Sequence, residues 1–102
     1  MKYQLILQWP ISSLDSYDSL VEIEEILIEE LAPDAEVDGH DIGANEMNIF
    51  ILTDDPKRAF VESKKIIDKT NARPEVRAAY REVAGDRYTI LWPPHLSEFT
   101  VA

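Results

Sequence analysis

The fold follows from residues 46–53, which read Glu-Met-Asn-Ile-Phe-Ile-Leu-Thr. Met47, Ile49 and Ile51 alternate with a second set that includes apolar Phe50, and this period of two is typical of a β-strand. Because both alternating sets contain apolar residues, both faces of the strand are expected to be covered. The segment is therefore predicted to be a central strand.

Upstream of this strand the chain shows a strand, a helix and a second strand. Residues 3–9 alternate in the same way and predict a half-buried strand. Residues 36–42 are predicted to pair with 46–53 as a hairpin through a turn at 43–45. Residues 15–31 are predicted to be a helix, because apolar side chains recur there at three- and four-residue spacing: Leu20, Ile23, Leu27 and Leu31.

Downstream, Asp55 and Pro56 are a helix-start signal, and the helix is expected to run to about residue 70. Residues 76–83 fit either a strand or a helix. A hairpin is favoured, because a turn signal at 84–86 precedes the strong strand pattern of 88–92.

The order of elements is strand, helix, strand, strand, helix, strand, strand, and the first six match the split β-α-β pattern. The prediction is an α+β fold, with a ferredoxin-like β-α-β-β-α-β antiparallel sheet, two helices on one face and an extra C-terminal strand. The other face is expected to be open or covered by a partner. A chain of 102 residues suits one domain, assigned to residues 1–94, with a loosely held tail over 95–102.

Composition excludes several classes of protein. Without cysteine there is no disulfide framework, thiolate metal site or cysteine nucleophile. No segment has the length of a membrane span or the pattern of a signal peptide, so a cytoplasmic location and no membrane partner are expected. The net charge of −10 is repelled by phosphate backbones, so nucleic-acid binding is not expected.

The charge is unevenly distributed. Residues 3–56 contain no Lys or Arg, while residues 57–102 hold nine of the ten basic residues. The predicted helix 15–31 presents Glu22, Glu25 and Glu29 without a Lys one turn later to offset them. Such a face either aids solubility or forms an acidic recognition surface for a basic protein.

The sheet face away from the helices is a second candidate site, for an anionic small ligand that arginine side chains would bind. The same composition also fits a homodimer interface or a plain solvated surface. The candidate ligand-binding residues are Gln4, Gln8, His40, Asn48, Arg77 and Arg81.

His40 lies in a polar cluster with Asp38, Asp41 and Glu46. These residue types bind metals, but no established ligand spacing is present, so no metal site and no cofactor are predicted. His40 and Glu46 could act as acid and base in a small dimeric ferredoxin-like enzyme. No positioned nucleophile or oxyanion donor accompanies them, so a hydrogen-bonded structural histidine is the favoured interpretation and no catalytic residue is assigned.

Residues 38–51 read Asp-Gly-His-Asp-Ile-Gly-Ala-Asn-Glu-Met-Asn-Ile-Phe-Ile. This run resembles one found in a family of small uncharacterised bacterial proteins, as do residues 1–5 and 91–93. The resemblance implies a bacterial source and carries no assigned activity, so it transfers no catalytic residue to this chain.

The sequence therefore favours a non-enzymatic interaction module of the immunity or inhibitor kind, which binds a basic partner through helix 15–31. The first alternative is a small-ligand or regulatory domain that uses the second sheet face. The second alternative is the small dimeric enzyme.

Overall fold

The computed structural model describes residues 1–10, 17–43, 45–69 and 76–101. It confirms the α+β class and places the predicted strand over 76–83 in the sheet as β4. The elements are β1 (Tyr3–Pro10), α1 (Tyr17–Leu31), β2 (Ala35–Ile42), β3 (Glu46–Thr53), α2 (Pro56–Ile67), β4 (Arg77–Glu82) and β5 (Thr89–Trp92). The predicted helix start at 15–16 and the turn residue 44 lie outside the described residues, and α2 ends three residues before the expected position.

The five strands form one sheet in the order β2-β3-β1-β4-β5, and every neighbouring pair is antiparallel. Strand β1 therefore lies at the centre, between β3 and β4. Leu5, Ile6 and Leu7 of β1 are all fully buried, so this strand is covered on both faces. A half-buried strand was predicted there, and the difference arises because residues far along the chain cover its second face.

Both helices pack on one face of the sheet, here called the helix face. The odd-numbered residues of β1 and β3 point to it, among them Leu7, Trp9 and Ile49. The apolar stripe of α1 predicted from spacing contacts this core, together with Phe60 and Ile67 of α2. The main core thus lies between one sheet face and two amphipathic helices.

Helix α2 begins as the sequence signals predict. Asp55 is the N-cap, and its carboxylate accepts a hydrogen bond of 3.1 Å from the backbone N–H of Arg58. Pro56 follows at the first helical position, where its missing N–H needs no partner. Lys64 and Lys65 lie in the last turn, where the helix dipole favours positive charge.

Strand β2 is an edge strand with a β-bulge. The register to β3 shifts between Val37 and Gly39, so Asp38 is the extra residue of the bulged strand. Gly39 has a φ of 130°, a conformation that L side chains rarely adopt. The bulge changes which residues face the helices in the rest of β2.

The second face of the sheet, opposite the helices, is partly covered by the chain's own C-terminal segment, defined here as residues 95–101. Its Phe99 is buried in a second apolar cluster with Ile6 and Ala79, against which Leu96 and Val101 pack. The expected loose tail and open face are therefore not what the structure shows. The extra burial comes from apolar side chains that return to the sheet after Pro93 and Pro94.

Candidate functional site

Exposed carboxylates, here together called the acidic surface, lie along α1, in the turn after it and on the edge strand β2, where Glu36 and Asp41 point to the second face. Its carboxylates are exposed and come from three consecutive parts of the chain: α1, the turn after it, and β2. The members of this acidic surface are Glu22, Glu25, Glu29, Glu30, Asp34, Glu36, Asp38 and Asp41. The three predicted partner-binding residues on α1 all belong to it.

Within the part of the chain that the structure describes, none of these carboxylates forms an ion pair with Lys or Arg. Two such pairs lie on α2, Lys64 with Asp68 and Lys65 with Glu62. Helix α1 carries no basic residue in its last turn, where Glu29 and Glu30 face the negative end of the helix dipole. The acidic surface therefore concentrates negative charge at some cost to the helix itself.

One glutamate of α1 has a specific role inside the fold. Glu24 is mostly buried, and its two carboxylate oxygens each lie 2.9 Å from Nδ1 of His40 on β2. Since a carboxylate can only accept, His40 Nδ1 donates. This contact holds α1 against β2, so the structural interpretation of His40 matches its observed environment.

The predicted ligand-binding residues are only partly brought together. Gln8 pairs across the sheet with Asn48 on one side and with Arg77 on the other, and all three share the second face. Gln4 and Arg81 pair on the same face, four residues away along their strands. His40 does not join them, because it points to the helix face.

The groups expected to contact a ligand are largely occupied by partners within the chain. Gln8 and Asn48 are buried, and Gln8 Nε2 donates to Asn48 Oδ1 at 3.1 Å and to the carbonyl of Thr100 at 2.8 Å. Arg81 donates from Nε to Gln4 Oε1 at 3.1 Å. One Arg81 terminal nitrogen also donates to the carbonyls of Glu82, Val83 and Gly85.

The proposed acid–base pair is separated by the sheet. His40 pairs in register with Ile49 and lies with it on the helix face. Glu46 lies two residues from Asn48 on β3 and shares the second face with it. The two side chains therefore cannot reach one reacting atom. Among the described residues, no three His, Asp or Glu side chains are close enough to share a metal ion.

A groove that the sequence did not predict lies where α1 ends and α2 begins, with a volume of about 490 Å³. It joins the acidic surface at Glu30 and Asp34, and it adds carboxylates from the β3–α2 connection. Its lining residues are Met1, Glu30, Leu31, Pro33, Asp34, Ala35, Thr53, Asp54, Asp55, Arg58, Ala59 and Glu62. The helix-start residue Asp55 lines one side of the groove, and local sequence does not show that α1 ends beside it.

Neither helix among the described residues is long and apolar enough to cross a membrane. No protein-family model matches this chain, and no match was found among curated proteins or solved structures. The resemblance to small bacterial proteins stays a prediction.

Proposed function

We propose that this chain is a non-enzymatic interaction protein whose acidic surface binds a basic protein partner. The observation that carries the proposal is the unpaired acidic surface itself, which spans α1 and β2 without a Lys or Arg contact among the described residues. Charge that is not used within the fold remains available to a partner. Inhibitors and immunity proteins of basic enzymes work on the same charge logic, and here the likeness is one of charge alone.

Two further features support the acidic surface as a binding surface. First, Glu25 and Glu29 lie one turn apart on α1, and like charges at that spacing destabilise a helix. Second, the groove at Glu30 and Asp34 is a concave site at the end of the surface, lined by five carboxylates together with Arg58 and apolar side chains. A Lys or Arg side chain of the partner fits such a site by charge, while the rest of α1 steers the approach.

The proposal includes the finer fold assignment, a ferredoxin-like core with β5 added at one edge. The strand order supports it, since β3 lies between β1 and β2, and β1 lies between β3 and β4. That is the pairing which two interleaved β-α-β units require. In this arrangement α1 lies over the half of the sheet that includes β2, and the helix contacts that strand.

The test compares two variants of equal charge change. In the first, Glu22, Glu25 and Glu29 become Gln; in the control, Glu82→Gln, Asp86→Asn and Glu98→Gln alter exposed acids elsewhere. Each protein is immobilised and exposed at low salt to lysate from its source cell, then eluted with high salt. A basic protein retained by wild type and control, but lost by the α1 variant, is expected.

For that partner, the association rate at low salt is expected to fall on the order of tenfold in the α1 variant, since steering by charge dominates association. The difference should shrink as salt screens the surface. Equal capture by both variants, or no salt-released basic protein on the wild type, contradicts the proposal.

The small-ligand alternative has no specific observation in its favour, because Gln8, Asn48 and Arg81 already contact groups of the same chain. Homodimer formation, the cytoplasmic location and the division at residue 94 stay predictions.

A further inference from the structure

The outer edge of β2 is open. The strand is the last in the sheet order, and no strand among the described residues pairs with its outer side. No backbone hydrogen bond within the described part of the chain reaches this edge from outside the β2–β3 hairpin. An edge of this kind presents unpaired N–H and C=O groups, to which an extended segment of another protein can add as a further strand.

On the second face, this edge is acidic. Glu36 and Asp41 are exposed and pair in register with Leu52 and Asn48 of β3. Because those β3 residues are four positions apart, the two carboxylates are separated by about 13 Å along the strand. Among the described residues, neither carboxylate forms an ion pair with Lys or Arg. A strand added to β2 therefore meets negative charge at two places on this face.

On the helix face, the same edge is apolar. Ile42 lies two residues after His40 on β2, shares its face and is 42% exposed. Ile28 lies one turn after Glu24 on α1 and is 51% exposed. Since Glu24 contacts His40, Ile28 lies on the flank of α1 that is directed toward β2. Side chains of an added strand that point to the helix face therefore meet Ile28 and Ile42.

We propose that β2 is a docking edge, to which an extended strand of the basic partner adds. The added strand alternates: its apolar side chains contact Ile28 and Ile42, and its Lys or Arg side chains point to the second face. Two of those basic side chains lie four residues apart, opposite Glu36 and Asp41. This inference rests on the proposed function, because it specifies which part of the basic partner binds and how.

The charge of the edge selects between partners. Two copies of this chain paired through β2 would bring their carboxylates together, and like charges on neighbouring strands are destabilising. Edge charges and bulges such as the one at Asp38 commonly prevent pairing between identical chains. Here the same carboxylates attract a basic strand, so the edge rejects a second copy and accepts a partner of opposite charge.

The first test titrates two fluorescent peptides with the full chain at low salt. The alternating peptide is Lys-Val-Lys-Val-Lys-Val-Lys, and the block peptide, Lys-Lys-Val-Val-Val-Lys-Lys, has the same composition and charge but mixes both residue types on each strand face. The alternating peptide is expected to bind about tenfold more tightly, because only it adds apolar cross-strand contacts to the charge attraction. Equal affinity overturns strand addition and leaves the charge-based proposed function standing. Binding of neither peptide at millimolar concentration also overturns strand addition.

The apolar side of the edge is tested with a matched pair of variants. Ile28→Gln and Val61→Gln each replace an apolar residue that is 51% exposed, the first on α1 beside β2 and the second on α2. Neither substitution changes the net charge. Ile28→Gln is expected to weaken the alternating peptide several-fold without affecting the block peptide, while Val61→Gln leaves both affinities unchanged. An unchanged affinity in Ile28→Gln, or an equal loss in both variants, contradicts the proposed contact.

Amide hydrogen exchange gives a readout that charge attraction alone would not change. The wild-type chain is compared with and without the alternating peptide at ten times its Kd. Outward-pointing N–H groups within residues 36–42 are expected to exchange about tenfold more slowly, because exchange then requires the peptide to dissociate. Residues 89–92 of β5, at the opposite edge of the sheet, are the internal control. No added protection in β2, or equal added protection in β5, overturns the docking edge, while the capture of a basic protein tests the proposed function separately.

Discussion

Replacing Glu29 with Gln is expected to stabilise the fold, although it removes a charge from the proposed binding surface. Glu29 lies exposed in the last turn of α1. The substitution removes an unfavourable interaction with the helix dipole, about 0.3–1 kcal/mol. It also removes repulsion from Glu25 one turn earlier, about 0.2–0.5 kcal/mol. Because solvent screens an exposed carboxylate, we expect a gain in the free energy of unfolding of about 0.5–1 kcal/mol.

For a domain of this size, that gain corresponds to a rise in Tm of about 2–6 °C. The assay is urea and thermal unfolding at low and at high salt, and the gain should diminish at high salt. Glu82→Gln is the control, since it changes the net charge equally from an exposed position on β4. If Glu29→Gln is no more stable than wild type, or gains no more than Glu82→Gln, the dipole argument is refuted.

Four other substitutions, in three experiments, test the contacts that support the acidic surface and the groove. Asp55→Ala removes the cap of α2 and should lower the free energy of unfolding by about 0.5–2 kcal/mol in urea titration; no loss would show that the 3.1 Å bond to Arg58 is dispensable. Gly39→Ala meets no atom but requires an unfavourable φ, so chemical denaturation should show a loss of about 1–2 kcal/mol; an unchanged midpoint would mean that the bulge relaxes. Glu24→Gln and His40→Ala, singly and together, should reveal a coupling of about 0.5–3 kcal/mol in a double-mutant cycle; strictly additive losses would contradict a direct contact.

Local periodicity was enough to predict most of the elements. The bounds of β3 coincide with the alternating stretch 46–53, and the α1 side chains at helical spacing all reach the core. Side-chain alternation on regular strands also brought Gln8, Asn48 and Arg77 to one face, as predicted. These are properties of neighbouring residues, so they are visible in sequence.

The orientation of His40 shows why other features of the site could not be predicted from local sequence. With Val37 toward the helices, regular alternation would place His40 on the second face. The bulge at Asp38 adds one residue and reverses every later position of β2, so His40 faces Glu24 instead. Nothing in the neighbouring residues fixed the bulge in advance.

The covering of the second face could not be predicted from local sequence, because the residues that contact each other there lie far apart along the chain. Leu96, Phe99 and Val101 follow no strand or helix period, and the bond from Gln8 to Thr100 joins residues 92 positions apart. Such a contact is decided by the assembled sheet. As a result, several polar side chains that were predicted to bind a ligand form hydrogen bonds within the chain instead.

The strand order also separates charge across the molecule. Strand β2, which carries exposed acidic residues, forms one edge of the sheet. The exposed Arg77 lies on β4, next to the strand that forms the opposite edge. Residues 57–102, which supply β4 and β5, carry nine basic and six acidic residues. The protein is therefore a permanent electric dipole as well as a net anion. In the field of a positively charged partner it experiences a torque that turns α1 and β2 forward, so part of the rotational search is completed before the two surfaces touch.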